Sequence, residues 1–457
     1  MPIQKNIYII IISAFLLSIF TSFLIIKNYD KYEISTDEIE NHRIIKGDIP
    51  DIWIDGQTIK NDLEAGKSYF ESGKEIFRSY LPPRLIALYS YIFDYDLFED
   101  WDQRIISSDN SKIFYLIIQS LLYYFSIFIF FKKLIKYFNP NICFFIILFL
   151  SLEPTIFFFH STFHTESIFF TMQILMLTLL MDDIDKISRS ILIGVLLGIM
   201  FLQKLVAIYY IIPIFIYYII KLKYKAIIPF LFVLIFYVSI IGLNGYGNYK
   251  RAGIFYFMPP SSKITLHLYF PNIIISKGEN ISPSEAKKIV DTKKIEWINK
   301  NNINLKNEKD RIMYYNYLQD FSIQTLIKYP LTSFKYIAWR TLQTGILNPI
   351  YVLEFFYYEN EKKPEYFFNS NYKKINLPLR IIYSAVLYTI VIIGFFYSLR
   401  RMSVANNLLL VLSSAYMLGL LGWANNSRYM VPILIYFSIY FGHGVICISE
   451  KLKKRET

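Results

Sequence analysis

The chain has 457 residues, 54% of them hydrophobic and only 18% charged, with a mean hydropathy of +0.35 and a formal net charge of +12. A soluble chain of this length would carry far more charge, so the balance excludes a pair of ordinary soluble domains and points to a polytopic membrane protein. The basic excess reads as cytoplasmic anchoring plus an outer surface suited to anionic lipid head groups, rather than as a nucleic-acid footprint.

Roughly ten apolar stretches have the length that crosses a bilayer, near residues 7–26, 112–131, 141–158, 163–181, 188–203, 205–220, 226–243, 377–396, 406–423 and 429–447. The first lacks a small-residue cleavage site, so it is expected to be a retained span rather than a removed signal peptide. Lys132, Lys133 and Lys136, then Lys186 and Arg189, then Lys221, Lys223 and Lys225, then Arg400 and Arg401 fall in short connections. With ten spans all of them lie on the same side as Lys5 and the tail KLKKRET, which predicts both termini in the cytoplasm. The predicted organisation is an N-terminal membrane module over 1–243, a mostly helical second outer loop over 244–376, and C-terminal transmembrane helices over 377–457. The first outer loop, 27–111, lies within the first of these. Cys143 and Cys447 both fall in spans, so no disulfide framework is expected.

In the first outer loop an amphipathic helix is expected from Gln57 to Tyr69 and a second interfacial segment from Arg84 to Phe93. Pro82 and Pro83 are expected to force an extended break between them. Asp51 and Asp55 then lie near the membrane surface, where a carboxylate can take a proton from an acceptor hydroxyl. Asp55 is also suited to cap the helix from Gln57 onward, since Asp is a favoured N-cap.

Glu166 opens the fourth span, inside its apolar boundary, where an ionised carboxylate requires a partner or a purpose. The alternatives are catalysis or an interfacial Glu capped by Thr165 or paired to a nearby Lys. His160 and His164 have the i, i+4 spacing of metal ligands but no local third ligand; a divalent metal is possible and not supported. Lys204 ends the fifth span and Arg428 opens the last. Each either snorkels to the outer surface or holds a lipid phosphate, with Arg84 as a third cation on that side. In the second loop, Ser282-Pro283 with Glu285 is a helix start, and Pro330 to Gly345 reads as an interfacial helix.

Four features in order carry a resemblance: Asp55 ahead of Ala65-Gly66, the Tyr80-Leu81-Pro82-Pro83 run, Thr165-Glu166 opening a span, and Arg428-Tyr429 followed by Pro432 opening the last. With these the chain resembles the GT-C superfamily of polyprenyl-phosphate-sugar glycosyltransferases, in the branch of protein O-mannosyltransferase-like and aminoarabinose transferase-like proteins (glycosyltransferase family 39-like). The family often has two adjacent acids in its first loop. Here Asp51 and Asp55 are four apart, and the adjacent pair Asp37-Glu38 comes earlier. The resemblance implies an all-α GT-C-like bundle of about ten transmembrane helices with extracytoplasmic loop helices, in an inner membrane with the active site facing the periplasm. It also implies inverting transfer of a sugar from a polyprenyl-phosphate donor to a hydroxyl of a lipid, glycan or protein, with no certain cofactor. Asp55 is then the base, Asp51 the reserve and Glu166 a second acid that orients the acceptor. Arg84, Lys204, Arg428, Tyr429 and His164 are the residues implied to bind substrate.

An O-antigen polymerase or ligase shares the span count and the large outer loop, but leans on outer-loop arginines and needs no acid before a Pro-Pro turn. A transporter or lipid flippase is expected to place charges at mid-membrane on broken helices.

Overall fold

The computed structural model describes residues 2–29, 49–68, 72, 80–93, 98–100, 105–106, 109–161, 165–258, 260–346, 370–421 and 431–456. Helices dominate. The first, α1 (Pro2–Tyr29), packs against α4 (Asp109–Leu134) and α5 (Pro140–Leu152). Its inward stripe is Ile7, Ile11, Ala14, Ser18 and Ser22, a step of three or four residues that keeps one helical face turned to the core. Ile9, Ile12, Leu16, Phe20 and Phe23 point outward and stay exposed. A helix apolar on both faces is what a lipid environment calls for.

Between α1 and α4 lie α2 (Ile49–Glu64), α3 (Leu81–Ile92) and a short antiparallel ladder, Phe98–Asp100 with Ile105–Ile106, which the sequence reading did not include. Pro82 and Pro83 do not form an extended break. They occupy the first turn of α3, and Tyr80 ahead of them is already in the right-handed helical region. Proline fits there because the N–H groups it lacks would have no intrahelical acceptor.

The helix α5 ends at Glu153 and α6 (Pro154–His160) leaves at an angle of 53°. Pro154 prevents continuation. The buried Glu153 carboxylate caps the new helix, accepting from the Ile156 N–H at 2.7 Å while Tyr383 donates to its other oxygen at 2.6 Å. Next come α7 (Glu166–Leu180), α8 (Ile187–Gln203), a 3₁₀ turn at Leu205–Tyr209, α9 (Ile211–Leu222), and α10 (Ile227–Ala252). The helices α8 and α10 pack along each other; Gly198 permits this, since a Cβ there would run into the Ile240 side chain. Gly253, at φ +71°, closes α10 by donating to the Tyr249 carbonyl at 2.8 Å and turns the chain toward Tyr256.

After α10 come α11 (Pro260–Tyr269), α12 (Pro271–Glu279), α13 (Pro283–Lys300), α14 (Glu308–Lys328) and α15 (Pro330–Ile346). Four of the five begin with proline, which is pre-set for a first turn. The helix start expected at Ser282 is present as a reciprocal capping box with Glu285. Finally α16 (Ser370–Ser398) and α17 (Val404–Leu421) pack on α18 (Val431–Glu456), which also lies against α5 and α7.

Among the described residues, five helical stretches are long and apolar enough to cross a membrane, or six if the bent α5–α6 pair is one span. Three further apolar helices are shorter: Glu166–Leu180, Ile187–Gln203 and Val404–Gly419. The stretch Leu205–Ala252 runs together two of the ten expected spans. Several long apolar helices are thus compatible with a multi-pass membrane protein, while helix length and composition do not give the count of ten.

Candidate functional site

The start of α7 and the end of α8 meet. Lys204 leaves α8 in an extended conformation, φ −153° and ψ 120°, and its ammonium donates to Glu166 Oε1 at 2.7 Å. Glu166 is 0% exposed and Lys204 12%. Thr165 donates to the other carboxylate oxygen at 3.2 Å, and the Gln203 side chain donates to the Thr165 carbonyl at 2.9 Å. The Lys204 ammonium also stands 5.9 Å from the Phe169 ring centre, within cation–π range. So of the readings open for Glu166, the pairing with a lysine is made, while Thr165 makes no side-chain capping bond and its hydroxyl donates to the Glu166 carboxylate instead. Lys204 turns inward to an acid rather than snorkelling.

The first-loop helices dock beside this pair. Ile59 of α2 and Ala87 of α3 are buried with Tyr80, Tyr256 and Ile312, and Leu202, two residues before Lys204, packs against that cluster. Asp55 is one helical turn before Ile59 and half-buried. Because α2 starts at Ile49, Asp55 sits in the helix interior and the capping role is not open to it. Asp51 lies one turn earlier on the same helix, and its side chain is outside the described residues. Also outside them are His164, Arg428, Tyr429 and the Asp37-Glu38 pair.

Arg84 is buried in the first turns of α3, and its guanidinium donates to the Tyr80 carbonyl at 3.4 Å. The Tyr80 hydroxyl accepts from Asn248 of α10 at 3.2 Å, and Asn248 also donates to the Tyr256 carbonyl at 2.6 Å. Burial holds the Tyr80 phenol well above its ordinary pKa, against the pull of the Asn248 bond and of Arg251 and Arg84, so it stays neutral. Arg251 of α10 donates to Glu308, the first residue of α14, at 2.8 Å, and Tyr256 donates to the same oxygen at 2.8 Å. A continuous polar chain therefore runs from the start of α3, through the end of α10, to the start of α14. Sequence reasoning missed Arg251, Asn248, Tyr256 and Glu308. The available signals were local only: a basic residue in the last turn of α10 and an Asn307 cap that accepts from the N–H groups of Lys309 and Asp310.

His160 is fully buried, 2.5 Å from the Ser167 hydroxyl and stacked on Tyr123. Among the described residues no group of three or more His, Cys, Asp and Glu side chains is placed to hold a metal ion. Cys143 and Cys447 are both buried and free.

No protein-family model matches the chain, and no curated protein matches it in sequence. Among solved structures it is similar to the archaeal oligosaccharyltransferase AglB from Archaeoglobus fulgidus, which was solved in complex with an inhibitory peptide and a dolichol-phosphate. The TM-score is 0.45 and the identity 12%, over 98% of this chain and 51% of that one. The chain thus spans about half the length of that protein.

Proposed function

We propose that the chain is an integral-membrane glycosyltransferase that moves a sugar from a polyprenyl-phosphate donor to a hydroxyl acceptor at the membrane surface. The observation that carries the reading is the docking of the Asp55 and Arg84 helices, through Ile59, Ala87 and Leu202, onto the end of α8 that presents Lys204 to Glu166. The reading is supported by the nearness of the helices that carry Asp55 and Arg84 to the end of α8.

In this reading a carboxylate of α2, Asp55 with Asp51 in reserve, takes the proton of the acceptor hydroxyl as its oxygen attacks the anomeric carbon. The bond from that carbon to the phosphate oxygen breaks with inversion, and the phosphate leaves with the electron pair. Its developing charge needs fixed positive partners rather than a proton donor, and Arg84 and Arg428 are assigned to it, with Tyr429 and His164 lining the substrate. Lys204 neutralises Glu166, which orients the acceptor. The branch resembled, protein O-mannosyltransferase-like or aminoarabinose transferase-like, belongs to this proposal, as do the periplasmic face and the ten-span topology.

The test is turnover by the purified chain in micelles, with a radiolabelled polyprenyl-phosphate sugar and a mixed panel of lipid, glycan and protein acceptors. Release of free polyprenyl phosphate with label on an acceptor is expected. No release with any acceptor, in protein shown to be folded, overturns the reading.

A solute or lipid carrier is the second reading. It is favoured by one observation: Glu153, Glu166 and Lys204 all sit at helix breaks or ends, where broken helices expose backbone to a ligand. Flux into sealed vesicles without chemical change of the cargo would establish it.

A further inference from the structure

The turn that follows Lys204 is held by a tyrosine of α17. The Tyr416 hydroxyl donates to the Val206 carbonyl and accepts from the Tyr209 N–H at 3.1 Å, so one side chain spans the Leu205–Tyr209 turn. Lys204 is tied into the same turn, because its carbonyl accepts from the Ala207 N–H at 3.0 Å. The next residue is held as well. The Tyr210 hydroxyl accepts from Ser413 of α17 at 3.3 Å and from Tyr436 of α18 at 2.6 Å. Tyr436 accepts in turn from the Gln173 side chain of α7 at 3.2 Å, and Gln173 also donates to the Pro432 carbonyl at 3.1 Å.

Gln173 stands seven residues after Glu166, which is two helical turns and about 10 Å along the same face of α7. The connection from α8 to α9 is therefore joined to α7 at two places, by Lys204 to Glu166 and by Tyr210 through Tyr436 to Gln173. Gln173, Tyr210, Ser413 and Tyr436 are fully buried, and an unmet polar group in such a setting is costly, so these bonds persist. The lysine stem is flexible, and where its ammonium stands depends on where the backbone behind it is fixed.

We propose that Tyr416, backed by Tyr210 and Tyr436, is a positioning residue that sets the turn after α8 so that the Lys204 ammonium meets Glu166. The inference rests on the reading of that pair as an orienting acid and its counter-ion, and it requires no transfer step.

The experiment uses the full chain in micelles with Tyr416→Phe, Lys204→Met and the two together. Phe keeps the ring and drops only the hydroxyl. If Tyr416 places the ammonium, the two changes overlap, and the double variant is expected to lose less than the product of the single effects on the unfolding equilibrium constant, by more than about twofold, the limit for independent sites. Agreement with the product overturns the proposal. A second readout is the infrared carboxyl band of Glu166, assigned by its loss in Glu166→Gln. In Tyr416→Phe that band is expected to move toward its position in Lys204→Met. A hydroxyl that only supports packing lowers stability and leaves the band in place, which also overturns the proposal. Should Tyr416→Phe fail to fold, Tyr436→Phe replaces it in both measurements, with the same outcomes for and against. Neither readout uses turnover. Independent effects in a chain that transfers sugar sink the positioning role alone, and coupling in a chain without transfer sinks only the transferase reading.

Discussion

Lys204 reaches across from the end of α8 to Glu166 at the start of α7 and donates to it at 2.7 Å, a pair 38 residues apart in sequence. Both groups lie largely out of water, so breaking the pair is costly. Lys204→Met removes the ammonium from a buried carboxylate and is expected to cost about 3–5 kcal/mol, the range for breaking a buried pair from one side. The combination with Glu166→Gln removes both charges and should recover much of that loss. Denaturation of the two single variants and the double in micelles checks this; simple additivity would show that the pair is not coupled.

Asp55→Asn separates chemistry from folding. With Asp55 in the interior of α2 rather than at its cap, the change should leave expression and unfolding nearly as they are. If Asp55 is the base, transfer should fall by about 10²–10⁴-fold. A milder loss is expected for Asp51→Asn. Should the order reverse, Asp51 is the base and the class survives; silence at Asp51, Asp55 and Glu166→Gln together ends the transferase reading.

His267 predicts how the region from α11 to α15 responds to acid. It is 5% exposed, near the Ser322 hydroxyl, and burial, then the neighbouring Lys294, lowers its pKa from 6.5 to about 4, with Asp291 opposing. Folded, it therefore binds fewer protons than unfolded between those values. Its contribution is complete above pH 6.5 and is lost as the pH falls toward 4, on the order of 3 kcal/mol in all. Limited proteolysis across residues 260–346 as a function of pH should show this loss, and His267→Gln should flatten the profile. An equal acid response in that variant would place the titrating group elsewhere.

Orientation is open to a direct measurement. A reporter active only in the cytoplasm should work after Thr457 and fail when inserted near Lys300, in the exposed end of α13. Activity at both positions would remove the grouping of acids and cations on the outer face.

Local signals carried a large part of the fold. Apolar runs gave the positions of the long helices, because burial of helical backbone in lipid needs about 20 apolar residues whatever their neighbours. Ser282-Pro283 and Pro330 marked two of the five helix starts between Pro260 and Ile346, because the orphan N–H groups of a first turn are satisfied within three residues. Even the start of α2 had its mark in Ile49-Pro50; the acid at Asp55 was the more conspicuous signal and was the wrong one.

What the sequence by itself determined was thus an apolar helical chain, its main punctuation, and a short set of acids and cations with their possible uses. The tertiary structure alone decided which charges meet: Lys204 with Glu166 rather than with lipid, and Arg251 with Glu308, 57 residues on, rather than with solvent. It also made a helix start of the Pro82-Pro83 pair and set Ile59, Ala87 and Leu202 in one cluster. The physical reason is range. Caps, prolines and hydropathy act within a turn or a span, whereas an ion pair is fixed by the packing of elements distant in sequence, and many pairings satisfy the same local rules.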